Sequence, residues 1–313
     1  MKRGEKAREG LTARGDCAKA PVVQQPATKR QAFFCLWSGA VGIAFAPLFV
    51  RWSEVGPSAT AFYRLLFALP FLGLWMVWRP VVPGDASRSR PGWTLVLPGL
   101  FFAGDLALWH WSIRLTSVAN ATLFANVAPI FVTIGARILF RERITLPFLV
   151  GLGLALAGAV LVVGSSFRLT RRHVVGDLLG LATAVFYAGY LLSVKHARGH
   201  QSTVQVMLWT SLAACPVLWV LAAGSGERLV PLGTAGWATV IALALVSQIG
   251  GQGLIAYAFA HLPASLSSVS LLVQPVVAAL LAALILAEPL QALQAAGGLV
   301  VLAGIAVAGR AMR

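Results

Sequence analysis

The feature that most constrains this chain is a succession of apolar runs, each about 20 residues long, that fills nearly everything after residue 31. Wound as a helix at about 1.5 Å per residue, such a run crosses a hydrocarbon core of about 30 Å. The runs lie at 32–50, 57–78, 93–112, 116–139, 145–166, 176–195, 203–223, 235–257, 264–286 and 291–309. They predict an all-α membrane protein with about ten transmembrane helices. Charge usage excludes the soluble alternative. Only 11% of residues are charged, against about a quarter in a soluble domain, which needs them to cover its surface.

The net charge of +15 would suggest nucleic acid in a soluble protein. In a membrane chain it reports orientation, because Lys and Arg collect on the cytoplasmic side. The tail 1–31 holds eight of the 25 basic residues and has no apolar periodicity. It is expected to be a disordered cytoplasmic segment that meets anionic headgroups. With that tail inside, 18 basic residues fall on the cytoplasmic side and six on the outer side. Both termini are therefore expected in the cytoplasm, although the cluster Arg168, Arg171 and Arg172 opposes this locally. The segment from Lys29 to Pro47 resembles a signal peptide, but its apolar stretch continues to Val50, so it reads as an uncleaved first span. Cys17, Cys35 and Cys215 have neither pair nor metal-ligand spacing.

The chain also repeats itself. At an offset of 146, Pro70 falls on Pro216, Gly104 on Gly250 and Pro129 on Pro275. Glu142 falls on Glu288, Gly151 on Gly297 and Gly158 on Gly304. Pro and Gly set backbone geometry, so their recurrence implies recurring architecture. The halves run over 32–166 and 176–309, with five spans each. Five is odd, so the second half must enter the membrane upside down. Inverted repeats of this kind mark transporters, with the substrate site near the midplane between the halves.

The segment from Ser112 to Leu123 (Ser-Ile-Arg-Leu-Thr-Ser-Val-Ala-Asn-Ala-Thr-Leu), with Pro129 and Phe140-Arg141-Glu142-Arg143, resembles the fourth-helix block of EamA-type members of the drug/metabolite transporter superfamily. Residues 258–264 (Ala-Phe-Ala-His-Leu-Pro-Ala), with Gln274-Pro275 and Ala287-Glu288-Pro289, are similar to the matching block of the second repeat. The resemblance covers about residues 32 to 309. It implies a ten-helix inverted-repeat fold around a cavity that opens alternately to each side, with no cofactor and no shared catalytic residue. Members move amino acids, drugs, nucleotide-linked sugars and other metabolites, and no motif names a substrate.

Ionisable groups inside a span are costly, so they are candidate functional residues. Arg64 and Asp105 are the two strong charges well inside spans, each about 10 Å from the outer face on consecutive helices. They are expected to pair or to face a common wet cavity. The bland alternative is a structural ion pair. His110, one turn beyond Asp105, is either a proton relay or an interfacial residue between Trp109 and Trp111. Asn126 and Thr122 share a helix face, with Thr133 further along. Ser267, Ser270 and Gln274 form a stripe, Gln248 and Gln252 share a face in a Gly-rich stretch, and Tyr187 neighbours Tyr190. Each could simply bond a neighbouring helix. Together they predict a polar cavity lined by Arg64, Asp105, Asn126, Tyr187, Tyr190, Gln248, Gln252 and Gln274. Gly151, Gly153, Gly158, Gly297, Gly298 and Gly304 read as close helix packing, between the repeats or at a dimer face. Glu142 and Glu288 are expected to bond loop backbone or a nearby Arg, with gating as the alternative.

No phosphate-binding glycine loop, HExxH or Ser/His/Asp set is present. The leading expectation is a secondary transporter or exporter of small metabolites or drugs in a bacterial inner membrane. Its partners would be a small-molecule substrate and membrane lipids, with proton coupling and homodimerisation open and no role for nucleic acid. The alternatives are a membrane-embedded enzyme acting on lipid or isoprenoid head groups, seeded at Asp105 and His110, and a non-transporting scaffold.

Overall fold

The computed structural model describes residues 28–78, 92–116, 118–164, 174–287 and 290–312, and of residues 110, 113, 114, 118–120 and 164 the backbone alone. The basic tail, the Arg168–Arg172 cluster, Cys17 and Glu288 lie outside the described residues. Ten helical spans are present. The first five are α1 (Lys29–Trp52), α2 (Pro57–Trp78), α3 (Trp93–Leu115), α4 (Ala121–Leu139) and α5 (Leu146–Gly164). The second five are α6 (Val174–Arg198), α7 (Thr203–Gly224), α8 (Thr234–His261), α9 (Ala264–Ile285) and α10 (Ala292–Ala311). Ten is even, so both ends of the chain emerge on one face, the termini side. The α1–α2 and α3–α4 turns lie on the far side.

Proline and glycine shape the spans. α1 breaks at Phe45 just before Pro47, and α2 breaks at Phe67 before Pro70. α4 breaks at Asn126–Val127 before Pro129, and α9 at Leu271–Leu272 before Pro275, at matching places in the two repeats. Proline has no N–H and its ring crowds the preceding turn, so the helix tightens there. Short-range bonds such as Val127 N to Phe124 O (3.1 Å) and Leu272 N to Val269 O (3.1 Å) record this. α8 instead widens into a π-helix over Leu243–Gln252, which ends at the Gly-rich stretch and carries both Gln248 and Gln252. Such π segments recur at functional sites.

The inversion can be read from glycine contacts. A Cβ on Gly151 would meet Ala308 N at 2.4 Å and Gly304 O at 2.8 Å. A Cβ on Gly297, its counterpart, would meet Val162 N at 2.7 Å and Gly158 O at 2.8 Å. Adding 146 to one contact set, or subtracting it, generates the other. As the numbers rise along α5 they fall along α10, so the two helices pack antiparallel about a two-fold axis. This small-residue face joins the repeats, and α5 and α10 therefore leave it closed to a dimer. Gly153 stands apart from it, with nothing within 4 Å. The pseudo-symmetry extends to backbone strain. Arg141 (φ 55°) and its counterpart Ala287 (φ 54°) are the described non-glycine residues in the left-handed region.

The second long interface, between α3 and α6, is aromatic. Gly104 and Gly189 make room for the rings of Phe186 and Phe101, which meet edge to face at 5.9 Å. Phe102 stacks on Tyr190 at 4.6 Å. The far end of this interface is tied by Ser112 Oγ to Gly176 O (2.7 Å) and by Thr116 Oγ1 to Asp177 Oδ1 (2.8 Å).

Candidate functional site

A cavity of about 220 Å³ lies between the repeats, in the half of the bundle nearer the far side. α1 contributes Ile43, Pro47 and Val50 where it breaks, and α2 contributes Thr60, Ala61 and Arg64. Phe102, Asp105, Leu106 and Trp109 come from α3, Thr122 and Asn126 from α4, and Thr183 and Tyr187 from α6. Leu243 and Gln252 come from the ends of the π segment in α8, and Gln274 and Pro275 from the bend in α9.

Arg64 and Asp105 thus share one cavity, and no hydrogen bond or ion pair joins them among the described residues. Each keeps only 8% of its surface exposed. Arg64 is held from behind. Its Nε donates to Gln248 Oε1 at 2.9 Å, and its guanidinium carbon lies 5.6 Å from the centre of the Phe102 ring. Its buried Nη2 has no acceptor, and neither have the amide nitrogens of Asn126 and Gln274, which also line the cavity. A buried donor without a partner loses its hydration without return.

Of the residues singled out from sequence, Arg64, Asp105, Asn126, Tyr187, Gln252 and Gln274 line the cavity. Gln248 and Tyr190 do not line it. They form its backing, Gln248 through Arg64 and Tyr190 by stacking on Phe102 and donating to Gln252 Oε1 at 3.4 Å. Both are fully buried among helices, where the polar end of each finds a protein partner before it reaches open space. His110 sits on α3, but its side chain is outside the described set. Thr133, Ser267 and Ser270 take no part. Their hydroxyls bond the carbonyl four residues earlier, at Pro129, Pro263 and Leu266.

Other groups close the termini side. Glu142, on the α4–α5 loop, reaches across to the second repeat and accepts from Ala264 N (2.6 Å), Ser265 N (3.1 Å) and Ser265 Oγ at the start of α9. A carboxylate there also complements the helix dipole. Lys195 donates to Leu262 O (2.6 Å), and Arg198 to Ala256 O (3.2 Å) and to Gln201 O. On the far side, Glu54 accepts from Leu232 N and Gly233 N before α8, and Glu227 accepts from Ser58 N at the start of α2. These links were not foreseen from sequence. The recurrence of Glu142 at the repeat offset was the one signal that pointed to any of them.

A polytopic α-helical membrane protein, with inverted five-helix repeats enclosing a charged cavity, has the architecture of a secondary transporter. The model of the EamA-like transporter family matches residues 31–164 and 174–310, and the chain belongs to that family. Among its relatives is the pseudopaline exporter CntI of Pseudomonas aeruginosa, 26% identical over 250 residues, which cover 78% of this chain and 85% of that protein. The riboflavin transporter of Vibrio cholerae is 26% identical over 239 residues, covering 74% of this chain and 77% of the other. One solved crystal structure shares the fold with a TM-score of 0.78 at 20% identity, covering 91% of this chain and 99% of the other.

Proposed function

We propose that this EamA-family protein is a secondary transporter that exports a small charged metabolite by alternating access, with both termini in the cytoplasm. The observation that carries the reading is the contrast along the bundle axis. A cavity with unsatisfied charged and amide groups occupies the far half, while links through Glu142, Lys195 and Arg198 tie the termini half. Under the orientation set by basic residues, the structure is then an outward-facing state. Its inverted counterpart would exchange the open and closed halves, which the pseudo-two-fold between α5 and α10 makes nearly equal in energy.

Arg64 and Asp105 serve as the groups that read substrate charge, Gln248 orients Arg64, and Asn126, Gln252 and Gln274 supply further polar contacts. Phe102 and Tyr187 are the aromatic walls. With no nucleotide-binding motif in the chain, the driving force is an ion gradient or the substrate gradient itself. The presence of an exporter among the relatives supports the outward direction.

The test is flux into and out of proteoliposomes against a metabolite panel, with and without a pH gradient. The expected result is saturable movement of a subset of the panel, abolished when Thr122→Trp fills the cavity. Flux that survives the plug overturns the reading. A reporter fused after Arg313 should read as cytoplasmic, and an external reading would refute the orientation.

A further inference from the structure

We infer that the cavity takes a small zwitterion, one carrying a carboxylate, an ammonium group and an apolar substituent. This rests on the transporter reading and deepens it by naming the substrate class. The first observation is that Arg64 and Asp105 face one space without bonding each other. A structural pair would have closed to contact, because a buried charge is stable only when its counter-charge and hydrogen bonds are in place.

The second observation is directional. Gln248 fixes Arg64 Nε and leaves Nη2 buried without an acceptor. Asn126 and Gln274 add two more buried donors without acceptors on the same cavity. That surplus of donors fits a carboxylate, which accepts at both oxygens. Asp105 fits the opposite need, a cationic donor. A mono-anion would satisfy Arg64 and leave Asp105 charged and unmatched, and a monocation would do the reverse. A zwitterion satisfies both and carries no net charge into a poorly solvating interior.

Size and lining define the remainder of the ligand. An apolar cavity of about 150 Å³ holds a benzene ring. The observed 220 Å³ therefore takes a ring or branched alkyl group plus a charged head, and is smaller than the usual pocket for a drug-sized ligand, about 300–1,000 Å³. Phe102, Leu106, Trp109, Tyr187, Leu243 and Pro275 supply the apolar wall.

The test is equilibrium binding to the full-length protein in nanodiscs of four probes that differ only in charge. They are phenylalanine, its amide, its N-acetyl derivative and the N-acetyl amide. Phenylalanine should bind roughly ten-fold or more tighter than either singly charged form, with the neutral form weakest. Arg64→Gln should erase the preference for phenylalanine over its amide, and Asp105→Asn the preference over the N-acetyl form. A lone charge could impair folding, so the double variant R64Q/D105N is measured beside the single ones. It should fold and bind all four probes alike. Equal binding of all four by the wild type, a preference for a singly charged probe, or binding of none overturns the inference. The flux experiment with the Thr122→Trp plug is read separately. Plug-sensitive flux without zwitterion preference leaves the transporter reading standing alone, and zwitterion-selective binding without flux does the reverse.

Discussion

Glu142, Lys195 and Arg198 on the termini side direct their charges onto backbone groups of neighbouring elements, whereas Arg64 and Asp105, deeper in the far half, leave theirs facing a cavity. All five are in or beside apolar helices, where an unsatisfied charge is expensive. The satisfied set holds the structure together, since helix ends have bare N–H and C=O groups that a charged side chain can complete. The unsatisfied pair contributes nothing of that kind, so its retention is explained by a ligand. The asymmetry also cuts across the repeats. At the offset of 146, Arg64 corresponds to Thr210 and Asp105 to Gly251, and Gly251 packs against Gly39 and Gly42 of α1. Architecture is duplicated, while the charges occur in one copy only.

The comparison can be broken at its base by separating the repeats. Gly158→Leu drives a side chain into α10, where even a Cβ would lie 2.5 Å from Val301 N. Loss of monodisperse protein in size-exclusion chromatography is the expected outcome, because neither backbone can retreat. Normal folding would show that this face is not the axis of the molecule.

Next in size is Arg64→Gln. Transport efficiency should fall about 10- to 100-fold, the worth of one hydrogen bond to a charged group. Thermal stability should hold or rise, because the variant removes a buried charge that the protein does not satisfy. A large drop in the unfolding temperature with intact transport would move Arg64 into the structural set.

Glu142→Ala should behave in the opposite way. It strips the cap from α9, so stability should fall by about 1–2 kcal/mol. A cysteine at Leu262 should also react faster with a reagent added from the termini side. Unchanged stability and labelling would mean that the tie between the repeats is incidental.

The smallest effect is expected at Gln248→Leu, outside the cavity. It frees Arg64 from its anchor at a cost of about 1 kcal/mol of orientation, visible as a rise of several-fold in KM with little change in kcat. A fall in kcat alone would argue against a positioning role.

Much of this molecule could be read from the chain alone. The ten spans lie within a few residues of the apolar runs, because insertion depends on hydropathy summed over about 20 neighbouring residues, a local quantity. The odd span count per repeat dictated inversion, and recurring Pro129 and Pro275 foretold matching bends. Arg64 and Asp105 stood out because charge is rare at their depth. What only the tertiary structure decided is how each helix is rotated and what it meets. Sequence could not separate Ser267, whose hydroxyl returns to its own helix, from Gln274, whose longer amide reaches the cavity. Nor could it choose between repeat packing and a dimer for Gly151 and Gly304, or send Glu142 across to α9 rather than to its own loop. Those outcomes depend on contacts between residues more than 100 positions apart, where close packing and hydrogen-bond geometry, not local hydropathy, select the partner.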